Sequence, residues 1–279
     1  MLSLPAPAKI NLFLHITGRR PDGYHNLQTL FQLLDFGDQL DIEVDSSGVI
    51  RVTPTLEAVP PEDNLIYRAA RLLQQESGCK MGAAIHLHKQ LPMGGGLGGG
   101  SSDAATTLMA LNTLWQLNWS REKLMFLGQQ LGADVPVFIF GHSAWAEGVG
   151  EQLTKVEMKS YWYLVLAPDT QVSTATIFAH QGLTRNTHPI KIRAFLEQGG
   201  RNDCQTVVEA LYPQVKKARL WLAQFADARL TGTGACLFAR FDSEADARSV
   251  LKQMPAPWQG FVAQGVNRSP LLDKLPSHN

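Results

Sequence analysis

The chain has 279 residues, with 25 Lys+Arg against 25 Asp+Glu, 44% hydrophobic and 18% charged residues. That composition belongs to a globular protein with room for two modest cores, and its balanced charge gives no reason to expect a nucleic acid or an anionic membrane as partner. Apolar runs stay short of the roughly 18 residues of a membrane span, and the spacing of Cys79, Cys204 and Cys236 points to free thiols in a reducing, cytoplasmic compartment rather than to a metal site.

No basic-then-apolar leader precedes the first strand pattern, so no export signal is expected. Residues 4–16 alternate, with Ala8, Ile10, Leu12 and Leu14 on one face and Lys9, Asn11, Phe13 and His15 on the other. Lys9 and Asn11 therefore point the same way, and a solvated face is the usual fate of such a lysine. Pro5 and Pro7 make this an edge or entry segment. Pro21-Asp22-Gly23 is a turn, over which Tyr24 packs while His25 is exposed in the ordinary case. Leu27 to Leu34 reads as strand, Gly37-Asp38 as a turn, and 39–44 with 49–53 as a hairpin around Ser46-Ser47-Gly48. Pro60 to Asn64 opens a helix with Leu65, Ala69, Leu72 and Leu73 inside and Gly78 at its end. Asn64 is by default its cap.

A strand-like run, Ala83 to Leu91, then leads into Pro92-Met93-Gly94-Gly95-Gly96-Leu97-Gly98-Gly99-Gly100-Ser101-Ser102-Asp103, and a helix pattern through Ala105, Leu108, Met109 and Trp115 follows. Ser101, Ser102 or Asp103 can cap that helix. Strand, glycine loop and helix N-terminus make an anion site, since free N–H groups and the positive dipole end converge on the ligand. A flexible linker is disfavoured by the patterned segments at both ends. A dinucleotide fingerprint, satisfied by Gly94, Gly96 and Gly99, lacks the second strand with its acid, and a Walker A loop lacks its Lys-Ser/Thr. A phosphate chain is the anion that fits.

Arg121 to Leu131 is a further helix stopped by Gly132, and Pro136 biases Val135 to an extended conformation. Asp134 is thereby held at a corner, where capping the next element is its bland role. Residues 144–151 read as strand then turn, and Tyr161 to Ala167 as a buried strand. A domain junction falls near Lys155 to Ser160. Ser173 to His180, Ile190 to Gln198, and the segment marked by Val215, Ala218, Leu222 and Phe225 are helical. Thr231-Gly232-Thr233-Gly234 is a second glycine turn, which can back a phosphate site. A strand over Cys236 to Phe241, a helix with Ala247, Val250 and Leu251, and a strand over Gly260 to Val266 complete an α+β C-terminal half.

Residues 92–102 resemble the phosphate loop of the GHMP small-molecule kinases, which include galactokinase, homoserine kinase and mevalonate kinase. Pro7-Ala8-Lys9-Ile10-Asn11-Leu12, Asp22-Gly23-Tyr24-His25, Leu131-Gly132-Ala133-Asp134-Val135-Pro136 and the Thr231–Gly234 turn stand in the right order around it. Together they resemble the branch of the family that serves the non-mevalonate route to isoprenoid precursors, and the resemblance covers essentially the whole chain. Asp103 stands where relatives often carry Asn.

The resemblance implies an α+β, two-domain GHMP fold: a ribosomal S5-like N-terminal domain over 1–155 and a ferredoxin-like C-terminal domain over 156–279, with the substrate site in the cleft between them. It implies transfer of the γ-phosphoryl of ATP to the C2 hydroxyl of the methylerythritol unit of a cytidine diphosphate sugar alcohol. Asp134 would be the general base and Lys9 its partner, which suits a reaction that needs positioning and charge stabilisation more than covalent chemistry. Asn11 would fix substrate or base. Tyr24 and Phe178 would clasp the cytosine, His25 would bind its polar edge, and Phe31 and Thr174 would line the substrate site. Asn64, Lys89 and Met93 would lie near the adenine, and Pro92 to Ser102 would wrap the phosphates. Mg²⁺ is implied, with its ligands unassigned and Ser101 and Ser102 as candidates. A monomer or weak homodimer is expected. A homoserine or mevalonate type of GHMP kinase would share the loop without the cytosine clasp, and a non-catalytic nucleotide-binding module would dispense with Lys9 and Asp134. Valine at Gly98 is expected to obstruct the phosphates while the chain still folds.

Overall fold

The computed structural model describes residues 1–55 and 59–276. It opens with a long antiparallel hairpin of β1 (Leu2–Arg19) and β2 (His25–Asp45). The expected Pro21-Asp22-Gly23 turn closes it, with Arg20 and Tyr24 bonded across. β3 (Ile50–Thr53), α1 (Leu65–Ser77) and β4 (Gly82–His88) follow. The predicted hairpin of 39–44 with 49–53 does not form. β4 lies between β2 and β3, antiparallel to the first and parallel to the second. The reason is apolar content: β4 buries Ala83, Ile85 and Leu87, whereas β3 buries only Ile50 and takes the edge. Parallel neighbours need a crossover, and α1 supplies it. Gly37-Asp38 is not a turn either. The strand runs straight through, and the Asp38 carboxylate turns inward to accept from the amides of Gln90 and Leu91.

α2 (Gly99–Leu114), α3 (Arg121–Gln129), α4 (Val135–Phe140), β5 (Ala144–Glu147) and β6 (Gln152–Lys155) complete the first half. Val135 is the first residue of α4, not extended as expected. Pro136 is tolerated because the first turn of a helix has amides without intrahelical partners. The second half runs β7 (Trp162–Ala167), α5 (Thr174–Ala179), α6 (Ile192–Gln198), α7 (Gln205–Leu211), α8 (Pro213–Leu222), β8 (Ala228–Leu230), β9 (Leu237–Phe241), α9 (Glu244–Leu251), β10 (Gln259–Val266) and α10 (Pro270–Lys274). Its antiparallel strand order, β10-β7-β9-β8, is that of a ferredoxin-like sheet.

Two main cores result. In the first, α1, α2 and α4 pack through Ile66, Leu73, Leu108, Leu111 and Phe138 on the sheet residues Leu33, Leu40, Ile42 and Ile85. In the second, Val208, Val215, Leu222 and Ala247 cover Leu164, Leu166, Leu237 and Ala239. β1 belongs to both: Leu4 and Ala6 enter the first core, and Leu14 and Ile16 the second. Register shifts after Asn11 and Ile16 each place an extra residue in β1, and one after Pro7 places two in β2, so neither the alternation nor its pairing persists along the strand. Lys9 and Asn11 therefore do not lie on a solvated face. They are buried in the middle of β1, at the seam between the cores. β10 pairs with β2 through Gly265–Leu34 and Val266–Leu33 and joins the two sheets beside that seam.

Candidate active site

Two cavities meet at the glycine loop. The larger, about 490 Å³, is lined by Lys9, Asn11, Tyr24, His25, Phe31, Asp134, Thr174 and Phe178 together with the Thr231–Gly234 turn. The smaller, about 350 Å³, is lined by Asn64, Lys89 and every residue from Pro92 to Ser101. Gly94, Gly96 and Ser101 face both. Ser102 faces neither: its side chain is wholly buried beneath the loop.

The helix after the loop starts earlier than its serines suggested. α2 begins at Gly99, and Gly98, which has no side chain, occupies the N-cap position in a left-handed conformation (φ 72°). Ser101, Ser102 and Asp103 lie inside the helix and do not cap it. The first-turn amides of α2 and the positive end of its dipole therefore face the smaller cavity. The second glycine turn does back the loop. Cys236 N donates to the Gly95 carbonyl at 3.1 Å, and Thr231 Oγ1 donates to that of Gly96 at 3.4 Å. A side chain at Gly96 would run into the Thr231 carbonyl, so two backbones meet there at a distance only glycine permits.

Lys9 is the hub where the cavities join. Its ammonium donates to Asn11 Oδ1 at 2.7 Å and to the Gly96 carbonyl at 3.0 Å, and it pairs with Asp134 Oδ2 at 3.1 Å. Phe31 lies under it, with the ring centre 5.3 Å away. Asp134 occupies the N-cap position of α4, but its carboxylate reaches Lys9 instead of capping. Lys9 is 3% exposed and Asp134 36%, so the ammonium is fixed while the carboxylate is open to the cavity. Asn11 spends most of its amide on the protein: Oδ1 accepts from Lys9 and Nδ2 donates to Thr29 Oγ1. Thr29, which nothing in the local pattern marked, orients Asn11, and Asn11 orients Lys9.

The Asn64 side chain caps α1 by accepting from Ile66 N, as its position suggested, and it also lines the smaller cavity. Lys89 is held by Asp38 at 2.5 Å and by Asp103 at 3.4 Å. The sequence reads Asp38 as part of a turn and Asp103 as a possible helix cap; both instead lie under the loop and pair with Lys89. At the outer end of the larger cavity the ordinary assignments of Tyr24 and His25 are reversed. Tyr24 is 64% exposed at the mouth, whereas His25 is buried and stacks on Phe178 with ring centres 5.2 Å apart. Thr174 Oγ1 and Thr233 Oγ1 share a hydrogen bond of 2.8 Å, tying α5 to the second glycine turn.

Residues 64–142 match the family model of the GHMP kinases N terminal domain, and residues 183–260 that of the GHMP kinases C terminal. The chain is 56% identical to a 4-diphosphocytidyl-2-C-methyl-D-erythritol kinase of Pseudomonas entomophila, over 99% of this chain and 96% of that one. It belongs to that kinase family. A namesake from Alkalilimnicola ehrlichii is 59% identical over 97% of this chain and 93% of its own. A crystal structure of a 4-(cytidine 5'-diphospho)-2C-methyl-D-erythritol kinase superposes with a TM-score of 0.84 at 31% identity, covering 95% of this chain and all of the other.

The loop itself can be tested without disturbing the fold. A valine at Gly98 is a poorer probe than expected, because its Cβ would lie 2.7 Å from the Phe138 ring. Gly94 is cleaner: it faces both cavities, and a Cβ there meets no protein atom within 4 Å. Gly94→Ala is expected to raise the KM for ATP at least several-fold. The left-handed φ of 66° adds about 1–2 kcal/mol of strain, which a folded domain tolerates. Unchanged ATP affinity in folded Gly94→Ala would count against the loop as phosphate site.

Proposed function

We propose that this chain transfers the γ-phosphoryl group of ATP to the C2 hydroxyl of 4-diphosphocytidyl-2-C-methyl-D-erythritol, giving the 2-phosphate and ADP, in the non-mevalonate pathway of isoprenoid precursor synthesis. One observation carries it: the buried Lys9 ammonium joins Asp134 and the Gly96 carbonyl where the two cavities meet. ATP lies in the smaller cavity, its phosphates against the loop amides and the start of α2. The acceptor lies in the larger one, its hydroxyl beside Asp134. Asp134 accepts the hydroxyl proton as the phosphoryl bond forms. Lys9 holds that carboxylate in place and offsets charge developing between donor and acceptor. Asn11 and Thr29 hold Lys9.

Mg²⁺ would offset the charge of the triphosphate. Among the described residues no group of three or more His, Cys, Asp or Glu side chains could hold a metal. Ser101, which faces both cavities, could offer it a hydroxyl, with phosphate oxygens and water supplying the other ligands. We place the division at 155/156; the N- and C-terminal family models match on either side of it, over residues 64–142 and 183–260. Among those residues no helix is long and apolar enough to cross a membrane. We place the enzyme in the cytoplasm as a monomer or weak homodimer acting on these small molecules alone.

The experiment is ADP release with the cytidine compound, homoserine and mevalonate offered separately. Turnover with the first alone is expected. Turnover with homoserine or mevalonate, and none with the cytidine compound, would overturn the proposal. The aromatic clasp is tested by Tyr24→Ala and Phe178→Ala. Each is expected to weaken binding of a cytidine diphosphate analogue by roughly 1–3 kcal/mol, the worth of one base stack. Wild-type affinity in both would remove the clasp.

A further inference from the structure

Arg185 lies in the connection between α5 and α6, where no pattern in the sequence marks it. Four of its five N–H groups are engaged. One terminal nitrogen donates to the carbonyls of Phe178 and His180, each at 2.8 Å, the other to that of Leu183 at 3.1 Å, and Nε donates to His25 Nε2 at 3.0 Å. A guanidinium can only donate, so His25 Nε2 must present its lone pair. A doubly protonated ring is excluded by the same bond. Burial first, then the charges of Arg185 and Arg19, also pull the His25 pKa below its ordinary value. The ring proton of the neutral imidazole is therefore on Nδ1. His25 lines the larger cavity, and among the described residues no group bonds its Nδ1.

We propose that Arg185 is a positioning residue that fixes His25 as an Nδ1–H donor toward the bound base and thereby selects cytosine over uracil. The proposal rests on the cytidine reading above. At N3 cytosine offers a lone pair, which the His25 N–H meets; O2 accepts in both bases and cannot discriminate. Uracil carries a proton on N3, so donor would face donor and both would be left unpaired. Sites built to hydrogen-bond a ligand reject the analogue that leaves their polar groups unmatched. The two contacts to Phe178 and His180 mean that Arg185 also holds the end of α5, so the stacking ring and the edge-reading ring are set by one side chain.

The test joins imidazole ¹⁵N NMR of His25 with equilibrium binding of CDP and UDP, in the unaltered protein and in Arg185→Lys. Lysine keeps the charge but cannot span His25 and the three carbonyls at once. In the unaltered protein Nδ1 should be protonated and Nε2 unprotonated, with CDP preferred over UDP by roughly 10- to 100-fold. In Arg185→Lys the tautomer should no longer be held, and the CDP:UDP ratio should fall toward unity while ATP affinity stays the same. A purely structural role would weaken both nucleotides equally. Protonation on Nε2 in the unaltered protein overturns the inference without need of any variant, as does a ratio unchanged in Arg185→Lys; either leaves the cytidine reading standing. Equal binding of CDP and UDP by the unaltered protein would sink both.

Discussion

Asp134→Asn is expected to lower kcat by about 10²–10⁴-fold, the usual worth of a general base, while binding of ATP and of the cytidine substrate survives. The substitution keeps shape and removes the proton acceptor. It costs α4 little, because the carboxylate reaches Lys9 instead of the helix amides. The Asn oxygen can still accept from the Lys9 ammonium, so the buried lysine keeps a partner. The readout is single-turnover transfer from ATP to the acceptor, alongside equilibrium binding of both ligands. Near-normal turnover would remove Asp134 as base.

Lys9→Met completes that test. It also lowers kcat, but it leaves Asn11 Oδ1 without its donor and the Gly96 carbonyl with only the 3.4 Å bond from Thr231 Oγ1, and an unsatisfied buried acceptor costs about 1–3 kcal/mol. A loss of stability should therefore accompany the loss of rate, which Asp134→Asn should not show. The double variant should lose less than the product of the single effects, as groups acting as a unit do. Multiplicative losses would mean that the 3.1 Å pair does not act as one.

Helix α1 was readable because its ends are punctuated by Asn64 and Gly78, and the glycine loop because its pattern is long and set between a strand and a helix. β1 was harder. Its alternation predicts one wet face, but β1 passes from the first core to the second, with a register shift after Asn11 on the way, and both of its faces are covered. The pairing of β3 with β4 instead of β2 is non-local and depends on which strand has more apolar surface to bury, which a hairpin pattern does not weigh. α7 and α10 are too short, at 7 and 5 residues, to show a helical period. In the site, Lys9 and Asp134 could be paired through the family resemblance but not through spacing. Arg185, Thr29 and Asp38 had no such help: each acts by orienting a neighbour distant in sequence.

A second large effect is expected from Asp103→Asn, and it depends on pH. Asp103 lies in the buried start of α2 with one oxygen 3.4 Å from Lys89 Nζ and the other without a partner among the described residues. Asp38 draws the same ammonium closer, to 2.5 Å, so one cation serves two buried carboxylates. Burial, helped by the Asp38 charge and opposed by Lys89, pushes the Asp103 pKa from 3.8 up to about 7. The folded chain thus holds this proton more tightly than the unfolded one. Between about pH 4 and pH 7 the native state binds more protons, so stability falls as pH rises through that window, and the full penalty is present above it. The gap corresponds to at most roughly 4 kcal/mol. Asparagine keeps the shape and an acceptor for Lys89, and it never ionises. Asp103→Asn should therefore raise Tm clearly at pH 9, nearly as much at pH 7, about a third as much at pH 5, and hardly at all below pH 4. Thermal unfolding of both proteins across that range, without ligands, is the measurement. Equal or lower stability of the variant at pH 9 would show that the ionised carboxylate is adequately compensated by Lys89 after all.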